Sequence, residues 1–336
     1  MQLLIPHLFP PPHMLETTTS SMRAPALETL LARGNLRSHP APGVEVALCQ
    51  LLGITQQQDW PVAPITLEAD GGSAEQAYWM RADPVHLRVM RDRIVLADSS
   101  VLNLTAQEAD ALTTSIGQHF GEALQPRPCH PSRWYIQLVQ APRLVTTPLS
   151  VVCGRDIQPL MPQGEDAPRF RSILNEVQML LHSHPVNQQR EARGELTINA
   201  LWLWGGGIKP MVENRSTTTL FASDLTAKAL GEFCGAEIRP STDNVCTVLS
   251  ANQAIVVLDT LNQAGQCGDM FGWWDAMNTL ECEWFVPLLR TLQRLKLPKL
   301  KLSDPTNGKT LVVKRADTWK LWCRPHKLHS VLSRAH

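Results

Sequence analysis

Hydrophobic residues recur at helical spacing in several long segments of the chain. From Phe170 to His182 they fall at Phe170, Ile173, Leu174, Val177, Leu180 and Leu181, one stripe of a helix. Thr105 followed by Glu108 forms a capping box, and Ala109, Leu112, Ile116 and Phe120 share the face behind it, so a helix runs through Phe120. Pro25 suits a first helical position and Gly34 a helix end, which brackets Ala26–Arg33. Val44–Leu52, closed by Gly53, reads as another helix, Ser223 caps one through Phe233, and Trp273–Leu295 reads as a long one.

Between these segments the period changes. Ile198–Trp204 and Ala254–Leu258 are near-continuous apolar runs, the mark of strands covered on both faces. Gln2–Leu8 reads as a short buried strand stopped by Pro10, Pro11 and Pro12. Val85–Met90 and Arg93–Ala97 flank Arg91 and Asp92 as a hairpin, and Trp134–Val139 adds a strand. Strands alternating with helices predict an α/β fold: a mostly parallel sheet with helices on both faces, carrying an inserted small α+β subdomain. The predicted division is a first core part over 1–73, the insertion over 74–160 and a second core part over 161–336.

Composition narrows the class. The 336 residues are 43% hydrophobic and 18% charged, with no apolar run near the roughly 20 residues of a membrane span. The start MQLLIPHLFPPPH lacks a basic flank and a small-residue cleavage site. Eight cysteines contain no CxxC pair, as expected of free thiols in a reducing cytoplasm. Net charge is zero, yet residues 290–336 hold 12 Lys and Arg against two acids. Alternation in KLKLSDPTNGKTLVVKRADTWKLWCR predicts edge strands guarded by lysines. The competing reading of this tail is a phosphate or nucleic-acid patch beside Trp319 and Trp322, for which no recognisable motif exists.

The segment HSHPVNQQREARGELTINALWLWGGG, His182–Gly207, joins a helix, a turn, a buried strand and a glycine loop. It resembles the His-Pro-x-Asn, x-x-Arg and Asn-x-x-Trp-Leu-Trp-Gly run of the archaeal-type cofactor-independent phosphoglycerate mutases of the alkaline phosphatase superfamily. FASDLTAKALGEFCGAEI is similar to that family's Asp-Leu helix and following strand, with weaker similarity in APALETLLARG, PGVEVALCQLLG, WMRADPVHLR and DTLNQAGQCGD. The resemblance implies the alkaline-phosphatase-like fold. It also implies two divalent metals held by Asp and His and a serine that is transiently phosphorylated.

Four places depart from that pattern. The first strand, which in the family ends in Asp-Gly, runs into Pro6 and His7, with no acid until Glu16. Where the family has Pro-Gly-Ser-Asp, the chain has Pro42, Gly43, Val44 and Glu45. Where Asp-x-Ala-Gly-His is expected, Asn262, Ala264, Gly265 and Gln266 stand. Asp304, Pro305, Thr306 and Asn307 lie where Asp-His-Ser-Thr is expected, without the histidine. These departures, with the WMRADPVHL stretch, resemble a bacterial offshoot known as the RpfE-type regulatory proteins. The resulting expectation is a cytoplasmic, non-catalytic mutase-like protein with no metal or cofactor, whose partner is a protein or a phosphorylated small molecule. Neither a membrane nor nucleic acid is expected. Two alternatives stand beside it: a divergent mutase or phosphohydrolase using Mn, Mg or Zn, and a basic-tailed nucleic-acid-binding regulator.

The remaining candidates concern ligand binding. His184, Asn187, Arg190 and Arg193 sit at a helix-turn step where two arginines could grip a phosphate or carboxylate; alternatively His184 and Asn187 cap helices and the arginines pair with Glu191 and Glu195. Gly205, Gly206 and Gly207 could admit an anion to backbone amides, or simply form a tight turn with positive φ. Arg81 and Asp83 share a strand face, as a salt bridge or a ligand clamp.

Overall fold

The computed structural model describes residues 1–10, 14, 22–91, 93–97, 102–212, 216–241, 244–251, 253–294, 297–328 and 330. Pro11, Pro12, Glu16, Asp92 and Leu295, used in the sequence reading, lie outside them. In chain order the elements begin with β1 (Gln2–Leu4), α1 (Pro25–Arg33), β2 (Asn35–Ser38), α2 (Val44–Leu52), α3 (Val62–Ala69), β3 (Tyr78–Val89) and β4 (Ile94–Ala97). Then come α4 (Ala106–Phe120), β5 (Arg127–His130), β6 (Arg133–Leu138), α5 (Leu149–Val152), α6 (Ala167–His182), α7 (Pro185–Ala192) and β7 (Ala200–Gly207). The chain continues through β8 (Thr219–Phe221), α8 (Leu225–Phe233), β9 (Glu237–Arg239), α9 (Val245–Ser250), β10 (Ala254–Val257) and α10 (Asn262–Cys267). It ends with α11 (Met270–Leu280), α12 (Val286–Gln293), β11 (Lys299–Asp304) and β12 (Lys309–Lys314). Two compact units result, one from Met1–Leu48 with Asn214–His336, the other from Cys49–Glu213.

The first unit is the mixed α/β layer that the alternating periods predict. Its sheet runs in the order β2-β12-β11-β1-β10-β8-β9. Neighbours from β11 through β9 are parallel, and the β11–β12 and β12–β2 pairs are antiparallel. Successive side chains point to opposite faces, and both faces are covered. Leu3, Phe221, Val256, Leu300 and Leu311 pack into one core with α1, α11 and α12. On the opposite face Leu220 meets Gly231 of α8, where an added Cβ would collide with it.

Several expectations change in this unit. The first strand stops at Leu4 rather than Leu8, because the chain turns sharply at His7, whose φ is 60°. The basic tail is not an edge: β11 lies between β1 and β12, and the unpredicted β2 takes the edge beyond β12. Asp224, not Ser223, caps α8, accepting from the Ala227 N–H at 2.8 Å. The long helix after Met270 is broken by a π turn over Glu281–Phe285. Pro287 explains it, since a proline ring and its missing N–H disfavour α geometry against the preceding turn.

The second unit is built on one long strand. The first half of β3 pairs antiparallel with β6 and β7, and its second half pairs with β4. The capping box at Thr105 and Glu108 is present as predicted and opens α4, which packs with α6 over this sheet. The boundaries differ from those expected, since 49–73 and 161–213 fall in this unit. The reason is β7: the apolar run expected in the parallel core pairs with β3 instead, Asp83 opposite Trp202 and Ala82 opposite Leu203.

Candidate functional site

Ligands of parallel α/β sheets bind beyond the carboxyl ends of the strands, and the four departures from the mutase pattern meet there in the first unit. Leu4, Val257 and Asp304 end neighbouring parallel strands. The turn after β1 carries His7, buried and in the left-handed region, with its N–H donating to Asp304 Oδ1 at 3.2 Å and to Thr306 Oγ1 at 3.0 Å. The His7 carbonyl accepts from Trp273 Nε1 at 2.8 Å. Its ring lies against Gly265, where a Cβ would come within 2.8 Å of Nδ1. The Gly43 N–H, just ahead of Val44 and Glu45, donates to the Pro305 carbonyl at 3.0 Å.

Asp304 is the hub of this edge and is fully buried. Its Oδ1 accepts from the N–H groups of His7, Thr306 and Asn307 and from Thr306 Oγ1 at 2.7 Å. Its Oδ2 accepts from the Phe9 N–H at 2.9 Å and from Asn307 Nδ2 at 3.0 Å. Six donors therefore converge on a group with about four lone-pair sites. Lys309 stands nearby with its ammonium 5.4 Å from the Phe9 ring centre; burial pushes its pKa down while Asp304 pulls it up. Asn262 and Gln266, one turn apart on α10, bond each other, Nε2 of Gln266 to Oδ1 of Asn262 at 3.3 Å. Among the described residues no group of three His, Cys, Asp or Glu side chains is placed to hold a metal.

The other candidates belong to the second unit, where each meets partners within the chain. Arg81 and Asp83 are both buried and form a bidentate pair at 2.8–3.0 Å. The guanidinium lies between the rings of Tyr135 and Trp204, 5.2 and 5.1 Å from their centres. Asp83 also accepts from Trp204 Nε1 at 2.8 Å. His184 caps α7, its Nδ1 accepting from the Val186 N–H at 3.2 Å, and burial pushes its pKa down. Asn187 ties the α6 terminus to the approach to β7, through the Leu181 and Ile198 carbonyls and the Ile198 N–H.

The two arginines of this step meet Glu195, one of the two acids expected, and add Glu108, which was not. Arg190, buried, pairs with Glu108 at 3.0 Å and donates to the Leu102 and Leu196 carbonyls. Arg193 spans Glu108 and Glu195, both at 2.8 Å. Glu108 is thus both capping-box acid and ion partner, a role that local spacing does not reveal. Gly205 to Gly207 are not a loop but the end of β7. Gly205 has φ 68° beside a register shift in β3, and Gly206 and Gly207 lie where a Cβ would strike Tyr78 and Pro61.

Asp59 is the buried acid that the sequence reading missed. It accepts from the Trp60 N–H at 2.8 Å and from Thr146 Oγ1, which in turn accepts from the Gly205 N–H at 3.1 Å. Burial pushes its pKa up, and burial together with this carboxyl pushes the Tyr78 phenol up. The available signal was an Asp two residues ahead of Pro61 at the start of α3.

A mostly parallel α/β sheet with its polar knot at the carboxyl edge is joined by sequence to the cofactor-independent phosphoglycerate mutases. The chain is 26% identical over 210 residues to a Geobacter sulfurreducens protein named "Probable 2,3-bisphosphoglycerate-independent phosphoglycerate mutase", covering 58% of this chain and 51% of that protein. It is 22% identical over 243 residues to the 2,3-bisphosphoglycerate-independent phosphoglycerate mutase of Methanosarcina barkeri, covering 66% and 59%. The chain thus spans about half the length of the first of these relatives. No family model matches. The solved structure of the PH0037 protein from Pyrococcus horikoshii shares the fold, with a TM-score of 0.50 at 12% identity over 93% of this chain and 86% of that one.

Proposed function

We propose that this protein is a non-catalytic, phosphoglycerate-mutase-like protein of the RpfE regulatory type, acting by binding a protein or a phosphorylated small molecule. The observation that carries the reading is the Asp304 carboxylate, whose oxygens are taken up by six donors of its own chain. A metal at this edge would have to displace those donors, leaving buried N–H groups without partners. The neighbouring amides of Asn262 and Gln266 bond each other and offer only neutral oxygens, poor ligands for a pair of divalent cations. The donor set therefore does not fit such a pair. Val44 has no hydroxyl, so the position matched to the family's nucleophile cannot accept a phosphoryl group.

Phosphoryl transfer depends on positioned positive charge and an in-line nucleophile, and Val44, Asn262 and Gln266, at the positions matched to the family's nucleophile and late metal ligands, supply neither. The test is mutase and phosphatase turnover of the full chain with Mn, Mg and Zn supplied in turn, alongside metal content by mass spectrometry. No turnover above the protein-free blank is expected. Stoichiometric metal, with turnover that disappears in Asp304→Asn, overturns the reading. The competing reading, a divergent mutase with rebuilt ligands, is favoured by the names of the sequence relatives and would then stand.

A further inference from the structure

We propose that the segment from Trp319 to Lys327 is an anchor that docks this protein peripherally on a bilayer surface containing anionic phospholipid. The proposal is independent of whether the polar edge at Asp304 retains chemistry. The segment is a strap pinned at both ends within the first unit. At its start Thr318 is buried, and its carbonyl accepts from Arg33 Nη1 at 2.7 Å. At its end Leu328 is buried, and its N–H donates to Glu28 Oε1 at 2.9 Å. Two tight turns lie between, Leu321 N–H to the Trp319 carbonyl at 2.7 Å and Cys323 N–H to the Lys320 carbonyl at 3.1 Å.

The pinned strap turns its large apolar side chains outward. Trp319, Leu321 and Trp322 are 66, 71 and 77% exposed. Around them Lys314, Arg315, Arg324 and Lys327 are exposed, and the one acid between residues 314 and 327, Asp317, is paired with Lys320 at 2.8 Å. Indoles favour the headgroup level of a membrane, where one end of the ring is wet and the other apolar. A cationic rim matches an anionic leaflet. Leu321 decides between the polyanions: an aliphatic side chain between two indoles gains by entering hydrocarbon, whereas nucleic-acid bases stack on rings and gain nothing from it. The expectation of no membrane partner rested on spanning; no helix among the described residues is long and apolar enough to cross a bilayer, and surface contact needs no span.

The experiment is co-sedimentation of the full chain with vesicles of phosphatidylglycerol and phosphatidylcholine, against phosphatidylcholine alone, at low and high salt. A labelled single-stranded oligonucleotide is titrated in parallel. Binding to the anionic vesicles, weakened by salt, is expected. Trp319→Ser, Leu321→Ser and Trp322→Ser should each weaken it about tenfold, and Arg315→Gln or Arg324→Gln about fivefold. Phe271→Ser, an exposed apolar residue elsewhere in this unit, should leave binding unchanged. Quenching of tryptophan emission by brominated lipid in the unsubstituted protein tests the insertion without relying on any variant. Absence of vesicle binding, binding insensitive to the strap substitutions, or retention of the oligonucleotide in place of vesicles each overturns the proposal.

Discussion

Two buried carboxylates, Asp304 in the first unit and Asp83 in the second, hold their charge in opposite ways. Asp83 faces a formal cation, the Arg81 guanidinium, itself held between two aromatic rings. Asp304 draws its hydrogen bonds from neutral donors, four of them backbone N–H groups of its own loop and of the turn after β1. An ion pair concentrates compensation in one partner, and losing that partner strands a charge. A ring of neutral donors spreads compensation and fixes the path of the backbone as well. The first arrangement braces two positions on one face of β3; the second makes a surviving acid into a loop staple.

The largest expected effect separates them through Arg81. Arg81→Ala leaves Asp83 buried beside two N–H groups and should cost about 3–5 kcal/mol in denaturant unfolding. The paired change Arg81→Met with Asp83→Leu should cost far less, because it removes both charges at similar volume. If the pair costs as much as the single change, the concentrated-compensation account of Asp83 fails.

Next comes Asp304→Ala. It strands several buried donors together and should cost about 2–4 kcal/mol, with Asp304→Asn intermediate because one oxygen still accepts while the amide faces N–H groups. Should Asp304→Asn instead raise the melting temperature, the carboxylate is not the staple described. Gly265→Ala tests the same edge more gently: its Cβ meets the His7 ring, and overpacking there should cost about 1–3 kcal/mol by the same measurement.

The smallest effect is a pH slope in the second unit. Asp70 accepts from Arg133 at 2.6 Å and from the Tyr135 phenol at 2.6 Å; burial raises its pKa, but these partners outweigh burial and hold it below its ordinary 3.8. A depressed folded pKa means that stability is present above 3.8 and is lost as pH falls through the lower folded value. Asp70→Asn should flatten the acid limb of a stability-versus-pH curve below that point. An unchanged limb would remove Asp70 from the account.

Much of the local structure was legible. Thr105 with Glu108 announced α4 because both halves of a capping box lie within one turn. The run from Ile198 to Trp204 announced a strand but not its sheet, since an apolar run reads alike between parallel neighbours and beneath helices on an antiparallel one. The four departures at the candidate site were legible as substitutions, and the sequence even set them at one edge by analogy. What spacing could not show was that the Asp304 oxygens turn inward. Its donors at His7 and Phe9 lie 297 and 295 residues away in the chain, beyond any local pattern. Asp59 escaped for the same reason, its partner Thr146 being 87 residues distant.

The π turn at Glu281–Phe285 has a consequence for how this chain tolerates change in length. Glu281 stands there with its carboxylate on the N–H groups of Ala26 and Leu27, at 2.5 and 3.1 Å, closing the open end of α1. A π turn closes over one residue more than an α turn, so removing one residue from it would restore α winding with the flanks still in phase. Removing one from the regular winding of α11 or α12 would instead rotate one side by about 100° relative to the other. In that second case either Glu281 or the Leu288 and Leu292 stripe would leave its seat. A one-residue deletion inside the turn, sparing Glu281, should therefore be far less damaging than one in α11 or α12, because what the π turn stores is a spare residue.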